Sequence, residues 1–376
     1  MKRKRGVVFM SKKMLKRSLV LGALMAFVIT GQALAADVLI DTTNSTTTAP
    51  IVNGGTWELG EDTVTLVNNS KLDASNNIIK DATITLKEAQ TLNVHTYDKI
   101  FNGPSMIVNS TINGGAGTIN IHQFGTNNAL SYYTGGKNDT SINVGKINII
   151  ADGGYAVYTS NHAPDKYTLT AKEIYISSTM TDSSDGAGGL YAGAGSIAVN
   201  GFDTLNISVE NTNSTAGEGG AGILASTGAT ISIDGNDGSK VEINSEGRSA
   251  VIANGGTVTM EVSSLEATAN KVAGGNDNIR KNSVIGADGA AALLDITVKN
   301  TMKITADSSV NASIGTLNGG AVAVNGTADV TLEGGWIGIM AGHDNYHAVG
   351  KVTIGPEIGD VIINSDNGLF AGGKTR

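Results

Sequence analysis

The sequence predicts an all-β, single-domain parallel β-helix. Three observations carry that prediction: a recurring glycine-led motif, short alternating strands at close intervals, and a composition suited to tight turns. The motif is clearest at 189–199, GLYAGAGSIAV, where a glycine-led apolar triplet is followed by a glycine turn and an alternating strand. Copies start at Gly222 (GILASTGATISI), Ala250 (AVIANGGTVTM), Ala321 (AVAVNGTADVTL) and Gly368 (GLFAGG), with a weaker one at Ala290. Self-similarity on this scale marks a repeat architecture, in which each unit buries its apolar row only against its neighbours. One elongated domain is therefore expected from the 376 residues, although length alone suggests two or more.

Composition agrees. Fifty glycines against four prolines, with abundant Asn, Thr and Ser, suit many tight turns, because Gly and Asn tolerate left-handed backbone. A hydrophobic content of 40%, rich in Val and Ile, is enough to form a core, which argues against disorder.

Residues 1–35 read as a signal peptide. Eight Lys and Arg between Lys2 and Arg17 precede an apolar run over 19–29, and Ala33-Leu34-Ala35 offers a small-residue cleavage site before Ala36. The run is too short for a membrane span. Met10 and Met14 are alternative starts that leave a leader of more ordinary length. Removing this segment leaves 18 of the 26 Lys and Arg against 34 Asp and Glu, so the mature chain is strongly acidic. Such a balance disfavours nucleic acid and anionic lipid as partners. With no cysteine, disulfides, thiolate metal sites and cysteine catalysis are excluded.

Taken in order, residues 36–110 carry a blurred repeat with strand candidates at 63–67, 82–86 and 91–94, and are expected to form irregular N-terminal coils or a cap. The repeat-bearing region is 111–376. Its strand candidates, short, alternating and mostly β-branched, fall at 119–121, 142–150, 173–177, 205–209, 241–244, 296–298, 352–354 and 361–364. Turn signals follow Asn53, Asn113, Asp152, Asn200, Asp234, Asn254, Asn318 and Asn325. They fit hairpins of a sandwich or corners of a β-helix. Uneven spacing of the motif copies favours corners, since a loop outside a coil can lengthen freely while the inward rows stay stacked. Coils of about 20 to 30 residues imply roughly 12 to 16 coils and a rod of about 60 to 75 Å.

These features, namely the extended basic leader, the absence of cysteine, the few aromatics and the G-(A/I/L)-(L/V/Y)-A…G-x-(T/I)-(V/I) coils, resemble the passenger region of a bacterial autotransporter. The resemblance extends diffusely over 36–376. It implies a right-handed β-helix carried to the cell surface by a C-terminal outer-membrane β-barrel translocator. No barrel follows in this sequence, which ends at Arg376 within a motif copy, as expected of a fragment of a longer reading frame, a broken reading frame or another secretion route.

Several motifs invite chemical readings. GLFAGGKT at 368–375 matches a phosphate-binding loop but lacks the helix that must follow, and GLYAGAGS at 189–196 shows the same register. GEGGAG at 217–222 precedes an alternating strand and not a helix, so neither motif predicts nucleotide binding. DGNDG at 234–238 departs from a calcium loop at its fifth, sixth and twelfth positions, and GGNDN at 274–278 occurs once. His343, Asp344 and His347 form one histidine cluster in a loop pattern, and Asp182, Asp185 and Asp307 are scattered carboxylates. No catalytic, cofactor or metal residue is therefore assigned.

The leading expectation is an exported, non-enzymatic rod at the bacterial surface or secreted, whose partner is a surface receptor or polysaccharide. The alternatives are an extracellular carbohydrate-cleaving β-helix, which needs converging carboxylates, and a stalk for a downstream module.

Overall fold

The computed structural model describes residues 38–41, 52–58, 63–68, 78–87, 89–96, 106–125, 128–131, 138–160, 165–180, 188–211, 220–270, 283–342 and 350–371. The described residues are strand and turn without helix, and their strands stack in parallel as a β-solenoid. Parallel pairing decides between the two uses of the turn signals: they are corners. Asn318 and Gly319 turn with φ of 51° and 84°, the left-handed backbone that Asn and Gly adopt at least cost.

Long strands serve two faces. Asp139–Asp152, Ser196–Asn211, Thr230–Glu246 and Thr257–Asn270 each bend where the register shifts, at Val144/Lys146, Asn200/Phe202/Thr204, Asp234/Lys240 and Val262/Ser264. Extra residues placed between paired segments produce such bends. Together with shorter strands they form a 17-stranded sheet; the short strands Gly188–Ala192, Ile223–Ala225 and Val251–Asn254 belong to a nine-stranded sheet that makes the remaining face.

Register converts alternation into stacked rows. One inward row runs Val94, Ile121, Ile149, Ile176, Ile207, Ile243, Ala267, Ile304, Leu332 and Ile363. Another, on the third face, runs Leu130, Val157, Leu190, Ile223, Val251, Ile285 and Ile314. Nearly all of these side chains lie within one continuous buried cluster, which begins with Val52 and extends to Leu332.

The stacking also corrects the phase of the repeat. Leu190, Ile223 and Val251 are true equivalents, as the motif predicts. The next two copies begin at Ser283–Asp288 and Ala312–Leu317, because Leu293 and Ala321 sit on the preceding rows of Thr257 and not of Val251. The copies expected at Ala290 and Ala321 are thus second halves, whose alternation imitates the first. Gly368 is in phase, with Leu369 over Ile339. Coils measured this way run from 25 residues, Ile314 to Ile339, to 34, Val251 to Ile285.

The third face is a nine-stranded sheet in unbroken register. Parallel pairing links twelve levels, from Val38–Asp41 to Val361–Asn364, the lower end of the 12 to 16 coils expected. The first turns carry a separate three-stranded sheet, and their described strands, such as Val64–Asn68 on Thr91–Thr96, stack in the same parallel manner.

One corner row is polar before it becomes small. It runs Asn138, Asp165, Gly195, Ala229, Gly256, Ala292, Gly320 and Gly350, each lying one residue before a paired strand position. Asp165 is fully buried and accepts from the backbone N–H of Asn138 at 3.2 Å and of Ser160 at 3.4 Å. Asn138 in turn donates to the Tyr167 hydroxyl at 2.7 Å and accepts from Thr140 Oγ1 at 2.8 Å. Burial pushes the Asp165 carboxyl up to about 6, against the two N–H donors that favour its charged form. The folded state therefore holds this proton more tightly than the unfolded chain does. Stability from this group is present at low pH and lost as pH rises through about 6, up to about 3 kcal/mol. We expect the midpoint of thermal unfolding of the native chain to fall between pH 5 and pH 7.5 relative to Asp165→Asn, a difference that parallel melts at the two pH values would reveal. Equal shifts in both chains would remove Asp165 as the cause.

Candidate functional site

On the outward side of five consecutive coils, between strands Thr91–Thr96 and Ser196–Asn211, lies a groove of about 520 Å³. Its floor follows from the register. Outward positions one coil apart place Thr65, Asn93, Asn120 and Asn148 in one row, followed by Tyr175 and Asn206. Adjacent amides then bond: Asn93 Nδ2 donates to Thr65 Oγ1 at 3.0 Å, Asn120 Nδ2 to Asn93 Oδ1 at 2.7 Å, and Asn148 Nδ2 to Asn120 Oδ1 at 2.6 Å. The ladder ends where Tyr175 takes the next rung.

The neighbouring row adds His95, His122, Ile150, Ser177 and Ser208. His122 lies against the Phe124 ring, with centroids 3.5 Å apart, and its Nε2 is 3.1 Å from Asp152 Oδ2. His95 meets His122 edge-on at 6.2 Å, and its pKa is lowered by burial and by the neighbouring imidazole. Beside the groove Lys146 pairs with Glu173 at 2.9 Å, and its ammonium lies 4.6 Å from the Tyr175 ring centroid. That contact fixes the ring by cation–π attraction. Tyr175 and Ile150 are each 37% exposed.

Charge returns beyond the groove. The row of Tyr175 and Asn206 continues as Glu242, Glu266 and Lys303, and Lys303 pairs with Glu333 at 2.9 Å. The groove is thus a neutral, partly apolar stretch on a face that is otherwise charged. Among the described residues its lining contains no carboxylate, Lys or Arg.

The other sequence motifs divide cleanly. At 234–238 the corner is closed by side chains: Lys299 Nζ bonds Asp237 Oδ1 at 2.8 Å and lies 3.9 Å from Glu261, while Asn236 Nδ2 donates to Asp203 Oδ1 at 2.8 Å. An ammonium stands where a calcium ion would need carboxylates. Asp307 accepts from the Ser309 backbone N–H at 2.8 Å and from its hydroxyl, which makes it a turn cap. Gly220 to Gly222 lead into strand Ile223–Ala225, so the dinucleotide match ends in a corner and a strand. Asp182, Asp185, the 274–278 segment, His343, Asp344, His347 and the last part of the 368–375 match lie outside the described residues, as do residues 1–35. Among the described residues no group of three or more His, Asp or Glu is placed to hold a metal.

Fold and groove together define a parallel β-solenoid with an outward-facing groove. No family model matches the chain, and no curated protein or solved structure does so either.

Proposed function

We propose that the chain is an exported β-helical passenger of the autotransporter kind, a rod that acts by contact at the cell surface and not by catalysis. The observation that supports this most is the neutral groove on the outer sheet face, set on a stack of parallel coils. Contact sites need exposed side chains in fixed positions, and stacked parallel coils hold theirs through the backbone ladder. A carbohydrate-cleaving enzyme needs two carboxylates facing each other across the sugar chain, and the groove lining offers amides, imidazoles and hydroxyls instead.

The basic leader and the acidic remainder support export. Expressed in full in a Gram-negative host, the chain is expected to cross the inner membrane and to begin at Ala36 after processing, as read by N-terminal sequencing. An intact leader on cytoplasmic protein would refute export. Fused upstream of an outer-membrane β-barrel, the rod should become accessible to added protease and make the cells adherent. Cells that display it and gain no adhesion would count against the contact reading.

A further inference from the structure

We infer that the groove over Asn93, Asn120, Asn148 and Tyr175 binds an extended neutral oligosaccharide, as a lectin does, without cutting it. The inference rests on the contact reading above and names its ligand class and its site.

Three features of the groove select that chemistry. First, spacing: equivalent side chains on neighbouring coils stand about 4.8 Å apart, so the amide row is a periodic line of donors and acceptors. A sugar chain offers a comparable line of hydroxyls, each able to donate and accept. Within the ladder Asn93 and Asn120 each use one Nδ2 hydrogen and one Oδ1 lone pair, and Asn148 uses one Nδ2 hydrogen. Every Asn side chain has two of each, which leaves capacity for a ligand. The ladder also fixes the amides in advance, so little side-chain entropy is lost on binding.

Second, the aromatic rung. Tyr175 interrupts the amides on the fourth of the five coils, is 37% exposed, and is held by Lys146, itself paired with Glu173. An exposed ring gives an apolar surface for the C–H faces of a pyranose, and Ile150, equally exposed, extends it. The same row carries Glu242, Glu266 and Lys303 once the groove has ended.

Third, charge. The cation at the groove's edge, Lys146, is already paired with Glu173, so a uronic acid or sulfated chain would find no free counter-charge there, and the acidic balance of the whole protein would repel it. The carboxylates at its edge are engaged: Asp152 with His122, Glu173 with Lys146, and Glu242 with the amide of Asn206. A protein receptor would be expected to bury a larger and less regular surface than five coils of amides and one ring.

The test is isothermal titration of the full exported chain with cellohexaose, mannohexaose and chitohexaose, and with a polygalacturonate oligomer as the acidic arm. We expect at least one neutral sugar to bind and the acidic one not to bind. Tyr175→Ala should weaken that binding about tenfold and Tyr175→Phe should retain it, since the ring face and not the hydroxyl makes the contact. Asn120→Ala should weaken it also. Circular dichroism of each variant shows that the solenoid is intact. The inference is overturned if no neutral sugar binds at millimolar concentration, if only the acidic oligomer binds, if Tyr175→Ala binds as well as the native chain, or if the bound sugar is shortened on incubation. The contact reading is separable. If cells displaying Tyr175→Ala adhere as well as those displaying the native chain, the rod is adhesive through a protein contact elsewhere, and the groove assignment fails alone.

Discussion

Replacing Ile207 by Asp is expected to abolish cooperative unfolding and most of the β-sheet circular dichroism. Ile207 is fully buried between Ile176 of the preceding coil and Ile243 of the following one. Loss of the side chain alone costs about 2 to 5 kcal/mol, as for other large-to-small changes in well-packed cores. A carboxylate in its place adds several kcal/mol more, because no cation stands in the row to pair with it and the fold must bury either the charge or a proton taken at neutral pH. In a solenoid the damage spreads: each coil is stable only through its two interfaces, and this position contributes to both. The conservative Ile207→Val should cost about 0.5 to 1.5 kcal/mol and leave one cooperative transition. Urea melts of the two variants would show the contrast. A midpoint for Ile207→Asp close to that of the native chain would mean that residue 207 faces water, and hence that the register is off by one.

Much of this architecture is legible in the sequence because alternation is read coil by coil. The expected strand at 361–364 is found as Val361–Asn364, and those at 142–150 and 205–209 lie inside longer strands, Asp139–Asp152 and Ser196–Asn211. What one dimension hides is phase. AVAVNG at 321–326 alternates as well as any motif copy, and only its pairing with Leu293 puts it on a different face from Gly189. The groove was hidden for a related reason. Asn93, Asn120 and Asn148 are 27 and 28 residues apart, in a chain where Asn is common, and nothing local distinguishes them from corner residues. Coil length must be known to within one residue before they fall into a row. Conversely, the motifs that looked chemical owed their glycines to corners, as DGNDG shows: Gly238 has a φ of 85° in a corner that Lys299 closes.

The second large effect concerns the last glycine of GLYAGAG, which is more constrained than the first. A Cβ on Gly195 would stand 1.9 Å from the carbonyl oxygen of Asp165, one coil below, and on Gly256 it would stand 2.2 Å from that of Ser226. Gly320 repeats the conflict at 2.5 Å from the Ala287 oxygen. All three obstacles are backbone, which cannot rotate away as a side chain can. Between these glycines the same row holds Ala229 and Ala292, both buried, where the preceding residues form a tight turn with Ala229 N–H bonded to Ser226 O at 2.9 Å and Ala292 N–H to Gly289 O at 2.8 Å. The row therefore alternates between positions with no room for a Cβ and positions that already hold one. Val at 195, 256 or 320 is expected to destabilise the chain by at least about 3 kcal/mol, because a coil must lift from its neighbour and lose ladder hydrogen bonds to admit it. Gly at 229 or 292 should cost only about 1 kcal/mol, from backbone entropy. Thermal melts of the five single variants should thus separate into two groups that follow the glycine pattern and not the position along the rod. A Gly256→Val chain as stable as Ala229→Gly would show that the coils do not approach this closely at their corner.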